Sequence, residues 1–339
     1  MPQNSNGSCA IRPSVGSDPG MMSVRSFRNS DPPALAGIWN RCQGLPGFFG
    51  PVTYQQLEQF VFGKPYFDPR SFFVACDRGV PIAFAHASML PALGKDADLD
   101  DVQGMTCFMA VPQQSHRQHV VQSLLKACEG YLKGRGATQL FVGAMCPWPP
   151  FYFGLFGGFR VPGVMDPGIA DVLSQNGYQP MGEHSLFRLD LNEYVVPNCH
   201  AMAQLQSRIQ VAPEVGVLPN WWAASCLAHH EYVDLVAREV PGSRAVARLK
   251  LRTVFPNPNS LPTAGLVGFR VTGDWRDQGL ESLVLYHALE WIRSSRSGEF
   301  RGCRLVEAQV LSDEPALIDA CRILHFKESS GGTAYFKTC

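Results

Sequence analysis

"VTGDWRDQGLESLVLYHALEWI", residues 271–292, decides how the chain is read. It passes from an apolar strand end through Arg276 and Gly279 into a segment with Leu280, Leu283, Val284, His287 and Ala288 on one stripe at helical spacing. A strand that feeds a helix through a tight turn exposes the helix's first backbone N–H groups. Those donors, with the positive end of the helix dipole, suit an anion and above all a phosphate. Glycine lets a ligand approach the backbone closely, and Arg276 adds a fixed positive fork. The stretch therefore predicts a pyrophosphate site over 276–281.

The surroundings of this stretch occur twice. Residues 71–89 read as a hairpin turning at Asp77-Arg78-Gly79, and residues 232–254 as one turning at Pro241-Gly242-Ser243. After each comes an apolar strand, 104–111 and 264–271, then a helix, with Val121, Leu124, Leu125 and Cys128 striping the first. Each helix leads to a strand ("TQLFVGAM", "CRLVEAQVL"), a short helix opened by Asp166-Pro167 or Asp313-Glu314-Pro315, and a closing strand-like run. Val111 and Val271, 160 positions apart, hold the same place, so the chain reads as an internal duplication. The expected organisation is a disordered polar tail over 1–22, one domain over 23–192 and a second over 200–339, joined near 192–200. The expected fold is α+β, with a mixed, mostly antiparallel sheet flanked by helices in each half.

Composition narrows the function classes. With 29 Lys+Arg against 29 Asp+Glu and no basic run, a nucleic-acid-binding field is excluded as the main feature. Charged residues are only 17%, which leaves room for surface buried between domains or in a homodimer. Eleven cysteines, an odd number scattered singly without a CxxC pair, predict reduced thiols in a cytoplasm and no metal site. No apolar run reaches the ~20 residues of a membrane span.

The order of elements, with Val271, Arg276, Gly279 and Leu280, resembles the GCN5-related N-acetyltransferase superfamily. Its acyl-CoA loop reads Arg/Gln-x-x-Gly-x-Gly/Ala after the fourth strand. Here "RDQGLE" matches at Arg276 and Gly279, with Asp277 and Gln278 between, while Glu281 stands at the second small position. In the first half the loop is eroded, with His116 at the Arg position and His119 and Val121 at the two Gly positions. The resemblance covers nearly all of 23–339 and implies two tandem acetyltransferase-like domains, as in mycothiol-synthase-like proteins.

The resemblance implies transfer of an acetyl group from acetyl-CoA to a small amine or amino-acid-like acceptor, without a metal. It places acetyl-CoA on Val271 and 276–281 of the second half, and offers Val111, His116, Arg117, His119 and Val121 as a second loop. Glu307, a carboxylate among apolar neighbours on a strand, is a candidate base. Cys321 stands where the family has a tyrosine acid, and a buried Cys is also a small core residue. The run 145–164 is rich in aromatics, and Trp148, Phe151, Tyr152, Phe153 and Phe156 are either an acceptor wall or an interdomain contact. Three readings stay open: transfer in the second half, a non-catalytic binding protein, and transfer in the first half.

Overall fold

The computed structural model describes residues 22–92, 98–143, 150–197, 200–218, 220–227, 229–254, 261–276, 278–296, 298 and 300–339. The expected tail lies outside these, except Met22, which opens the first strand. Strand β1 (Met22–Ser26) leads to helix α1 (Pro32–Arg41), whose first turn begins with two prolines. Helix α2 (Tyr54–Leu57) has a full capping box between Thr53 and Gln56 and widens into a π-turn over Glu58–Phe62. Then follow β2 (Phe72–Asp77), β3 (Val80–Pro91), β4 (Leu99–Ala110), α3 (Arg117–Gly134), β5 (Gln139–Val142), α4 (Pro167–Gln175) and β6 (Gln179–Asp190). The second half comprises α5 (His200–Gln206), β7 (Ile209–Val215), α6 (Trp221–Leu227), β8 (Tyr232–Glu239) and β9 (Ala245–Thr253). It continues with β10 (Thr263–Val271), α7 (Leu280–Ser294), β11 (Leu305–Leu311), α8 (Pro315–Ile323) and β12 (Lys327–Thr338). Asp166 caps α4 by accepting from Ile169 N–H, as expected. At α8 the cap position falls to Glu314, with no side-chain cap bond, so Asp313 does not fill that role. Among the described residues no helix is long and apolar enough to cross a membrane.

All twelve strands form one sheet in the order β1-β2-β3-β4-β5-β12-β6-β11-β10-β9-β8-β7. Read from either edge inward, the order is the same: hairpin strands, then β4 or β10 beside its parallel neighbour β5 or β11. The closing strands have traded places. Strand β12 pairs with β5 of the first half, and β6 pairs with β11 of the second, while β6 and β12 pair with each other at the centre. The two halves thus share one continuous hydrogen-bonded ladder, which their sequences, each complete in element order, do not announce.

One core packs α3 and α4 on β2–β5, with Val121, Leu124, Leu125 and Cys128 buried as the stripe predicts. Another packs α5, α7 and α8 on the second half. On the opposite face of the first half, Trp39, Phe60, Phe72, Phe84 and the connection between β5 and α4 form an aromatic core. That connection is where the halves differ most: residues 143–166 in the first, only residues 312–314 in the second.

Candidate active site

In both halves the parallel strand pair opens into a V. Strands β4 and β5 pair from Gln103–Gln139 to Thr106–Val142 and then diverge, β5 ending as Gly143 turns with φ +93°. Strands β10 and β11 pair from Thr263–Leu305 to Leu266–Ala308 and then diverge. In each case the next residue of the longer strand, Cys107 or Val267, is a β-bulge against the hairpin partner. These two bulges stand 160 positions apart, the same offset as Val111 and Val271. A bulge re-aims a strand, and beyond it β4 or β10 keeps its hairpin partner on one side while its other edge, having lost the parallel neighbour, borders the opening.

The two openings have different contents. The base of the second-half V is filled from the first half by residues 157–160, and a groove remains farther out between Phe269–Val271 and Leu311. The buried Arg160 guanidinium donates to the carbonyl of Val267 at 3.4 Å and of Gln309 at 3.1 Å, bridging the two arms. Gly158 N–H donates to Glu307 Oε2, and Arg188 Nε donates to Glu307 Oε1 at 2.7 Å. Fully buried Arg252 donates to the carbonyls of Gly157 at 2.6 Å and Phe159 at 3.0 Å and lies 4.8 Å from the Phe153 ring centroid. Burial lowers its pKa to about 10, with the neighbouring Glu307 charge opposing the shift. The backbones touch: a Cβ on Gly265 would sit 2.2 Å from Gly158 O, so only glycine fits there.

This packing bears on three of the candidate residues and runs. Glu307 is 2% exposed, with one oxygen held by Arg188 and the other by a backbone amide, and so ties the halves together rather than facing an acceptor. Cys321 is fully buried in the second core, burial pushes its thiol up to about 12, and it faces neither V. Phe151, Tyr152, Phe153 and Phe156 are 0–2% exposed and are core, not the wall of an open site. Phe156 packs tilted against Trp39 and edge-on against Phe108, and Phe153 joins Cys226 and Leu227 of α6 in a small cluster between the halves. Trp148 lies outside the described residues.

The first-half V holds a cavity of about 60 Å³. Its walls are β4 from Thr106 to Met109, the end of β5 at Val142–Gly143, Pro46–Phe48 after α1, and Pro162–Asp166 before α4. Val111 and Arg117 complete the lining. Arg117 ties three elements. Its Nε donates to Val111 O at 3.1 Å, and its two terminal nitrogens donate to the Asp166 oxygens at 3.0 and 2.8 Å. A bidentate, half-buried pair of this kind fixes geometry, and here it holds the starts of α3 and α4 at a set distance from the strand end.

The helix starts differ as well. Gly279, at φ +79°, immediately precedes α7, as the loop reading requires. The corresponding residue before α3 is His116, at φ +62°, and histidine is one of the few residues enriched in that region. The first-half loop is therefore shifted by three from the expected register: His116 takes the glycine place, Gln113 the Arg/Gln place and Gln118 the second small place. His119 instead lies exposed in the first turn of α3, and Val121 is buried core. Counting back from a helix start, rather than matching glycines, would have found this.

Around α7 the groove of about 540 Å³ collects Arg270 and Arg276 with Glu281, Asp313 and Glu314. Arg276 is exposed, Val271 is half-buried, Leu280 is core, Glu281 is buried in the first turn, and Gln278 donates to Asp274 O at 2.7 Å. Asp277 lies outside the described residues. Around α3 the groove is lined by Gln113, Gln114, His116, Arg117 and Gln118, a set without a carboxylate, and the Gln114 amide nitrogen is buried with no hydrogen-bond partner. The orphan donor and the helix start offer an anion partners at α3, where Arg117 is already neutralised by Asp166, while at α7 three carboxylates stand against Arg270 and Arg276. Among the described residues no three His, Cys, Asp or Glu side chains converge as metal ligands.

No protein-family model matches the sequence, and no curated protein matches it. Solved structures do match by shape. A GCN5-related glucosamine N-acetyltransferase region of a fungal multi-domain GH3 β-N-acetylglucosaminidase superposes with TM-score 0.66 at 16% identity, over 93% of this chain and 38% of the other. The chain thus spans well under half of that protein. A tandem GNAT protein from the clavulanic acid biosynthesis pathway gives TM-score 0.62 at 13% identity, over 94% and 98% of the two chains. A GCN5-related N-acetyltransferase from Sphaerobacter thermophilus gives 0.61 at 13%, over 94% and 96%. The twelve-stranded sheet with its two opened parallel pairs is the GCN5-related N-acetyltransferase fold, present twice in tandem.

Proposed function

We propose that the chain is an acetyl-CoA-dependent N-acetyltransferase of the cytoplasm whose transfer takes place in the first-half V, with the second half as its support. The observation that supports this is the contrast at the point where the strands part: a cavity lies there in the first opening, whereas Arg160 bridges the second, whose groove lies farther out between Phe269–Val271 and Leu311. In this reading the diphosphate rests on the amide hydrogens at the start of α3, beside His116 and the Gln114 amide. The pantetheine lies along the open edge of β4, pairing with backbone groups past Cys107. The thioester then reaches the cavity, where an amine approaching past Pro46–Phe48 attacks its carbonyl. Most of the rate comes from holding the two reactants in place, and a backbone N–H near the bulge offers the developing oxyanion a partner.

Acetyl-CoA titration by calorimetry on the full chain tests the placement. One site per chain is expected. His116→Glu, which sets a negative charge at the α3 start, should weaken binding at least tenfold, and Arg276→Glu should change it less than twofold. The reverse pattern would move the site to the second half, and no binding by the unaltered protein would end the transferase reading.

A further inference from the structure

Resting on that placement of transfer, we propose that the acceptor is a small apolar amine of low basicity, an arylamine rather than an alkylammonium, that enters the first-half V uncharged. Of the cavity lining, Pro46-Gly47-Phe48 is exposed to half-buried whereas Pro162-Gly163 is buried, so we take Phe48 as the side from which an acceptor enters. The Phe48 ring is fixed edge-on against Trp39 at 5.3 Å and Phe108 at 5.5 Å between centroids. Behind it the surface is made by Phe108, Met109 and Met165. The charged residues of this lining are Arg117 and Asp166, and they neutralise each other. Asp166 Oδ1 accepts from Arg117 at 3.0 Å and from Ile169 N–H at 3.2 Å, and Oδ2 accepts from Arg117 at 2.8 Å.

An ammonium entering this space sheds its water and meets a carboxylate already bound to a guanidinium and a helix start. Desolvating a charge without a partner is costly, whereas a neutral amine loses little and already carries the lone pair it needs. Size agrees. A site needs about 10–15 Å³ of such volume per water-sized group, so about 60 Å³ holds the thioester carbonyl, its methyl and one nitrogen, leaving a flat ring at the Phe48 entrance. The step balances without another reactant: the C–N bond forms, the thioester C–S bond breaks, and one proton passes from nitrogen to the departing sulfur.

Two isomeric acceptors separate the cases, 4-methylaniline and benzylamine, which match in atoms and differ in basicity. With the full chain, saturating acetyl-CoA and thiol release as readout, 4-methylaniline should show at least tenfold greater kcat/KM at pH 7. Its rate should stay flat from pH 6 to 9, while that of benzylamine climbs about tenfold per pH unit. Phe48→Asp supplies the missing partner charge and should shift the ratio at least tenfold toward benzylamine, with unchanged acetyl-CoA affinity showing that it folds. Preference for benzylamine at pH 7, or an arylamine rate that falls with acid, overturns the inference while acetyl-CoA binding keeps the transferase reading intact. Binding of acetyl-CoA with release from neither amine counts against the inference, and failure of acetyl-CoA itself to bind removes both.

Discussion

The two openings of the sheet are built alike and used differently. In both, the strands diverge immediately after the fourth parallel pair, and both carry their bulge there. At the position two before the bulge, the first half has Met105 in its aromatic core, and the second has Gly265 under the backbone of Gly158. The difference traces to one connection. Residues 143–166 are long enough to cross to the other half and enter its V, while residues 312–314 are too short to return the gesture. A duplicated fold can thus keep two copies of an opening in its backbone and fill the base of only one with its own chain. Motif matching on glycines points to the second copy, and packing points to the first.

Acid should strain this contrast most. His184 and His230 flank the crossing connection, and burial holds their pKa values down at about 4 and about 3. Both are neutral in the fold. As pH falls below the ordinary value of about 6.5, the unfolded chain takes up protons that the folded chain refuses, so stability is full above that value and drops toward pH 4. At about 1.4 kcal/mol per unit for each ring, the two together should cost roughly 4 kcal/mol at pH 5. Urea unfolding at pH 7 and pH 5 measures this, and a pH-independent midpoint would mean that the rings are solvated.

Gly265→Ala should come next. Its new methyl meets the Gly158 carbonyl, and overpacking against backbone should cost about 3 kcal/mol, whereas Met105→Leu at the matching place should cost under about 1.5 kcal/mol. Equal losses would show that the crossing is loose. Filling the open channel with Met165→Trp should lower kcat/KM about a hundredfold, worth about 2.7 kcal/mol, with the melting temperature nearly unchanged. Glu307→Gln should cost about 2 kcal/mol of stability, less than for a fully buried pair because Arg188 is 38% exposed, and should change turnover less than threefold. A loss of turnover with stability intact would return Glu307 to the role of base. Arg276→Ala should be smallest, within about 0.5 kcal/mol in stability and under twofold in acetyl-CoA affinity by titration.

Most elements were legible because their signals are local. The Asp77-Arg78-Gly79 and Pro241-Gly242-Ser243 turns, the Val121–Cys128 stripe and the Asp166 cap each lie within a few residues of what they control. The exchange of β6 and β12 was not, because a strand's apolar alternation does not say which neighbour it will pair with. The aromatic run was recognised, but not that Phe151, Tyr152 and Phe156 pack into the first-half core while Phe153 meets Cys226 and Leu227 of the second half. Gly157-Gly158 followed by Arg160 marks the close approach only once Gly265 is known to lie opposite. The eroded loop hid its register because histidine replaced the glycine that normally announces a left-handed residue.

The position of β12 between β5 and β6 has a consequence for biosynthesis. A ribosome that has finished the first 192 residues has made every local piece of the first half, but not the strand that separates β5 from β6. In the finished sheet one neighbour of β5 is residues 327–338, so the first half's full pairing draws on the last strand of the chain to be made.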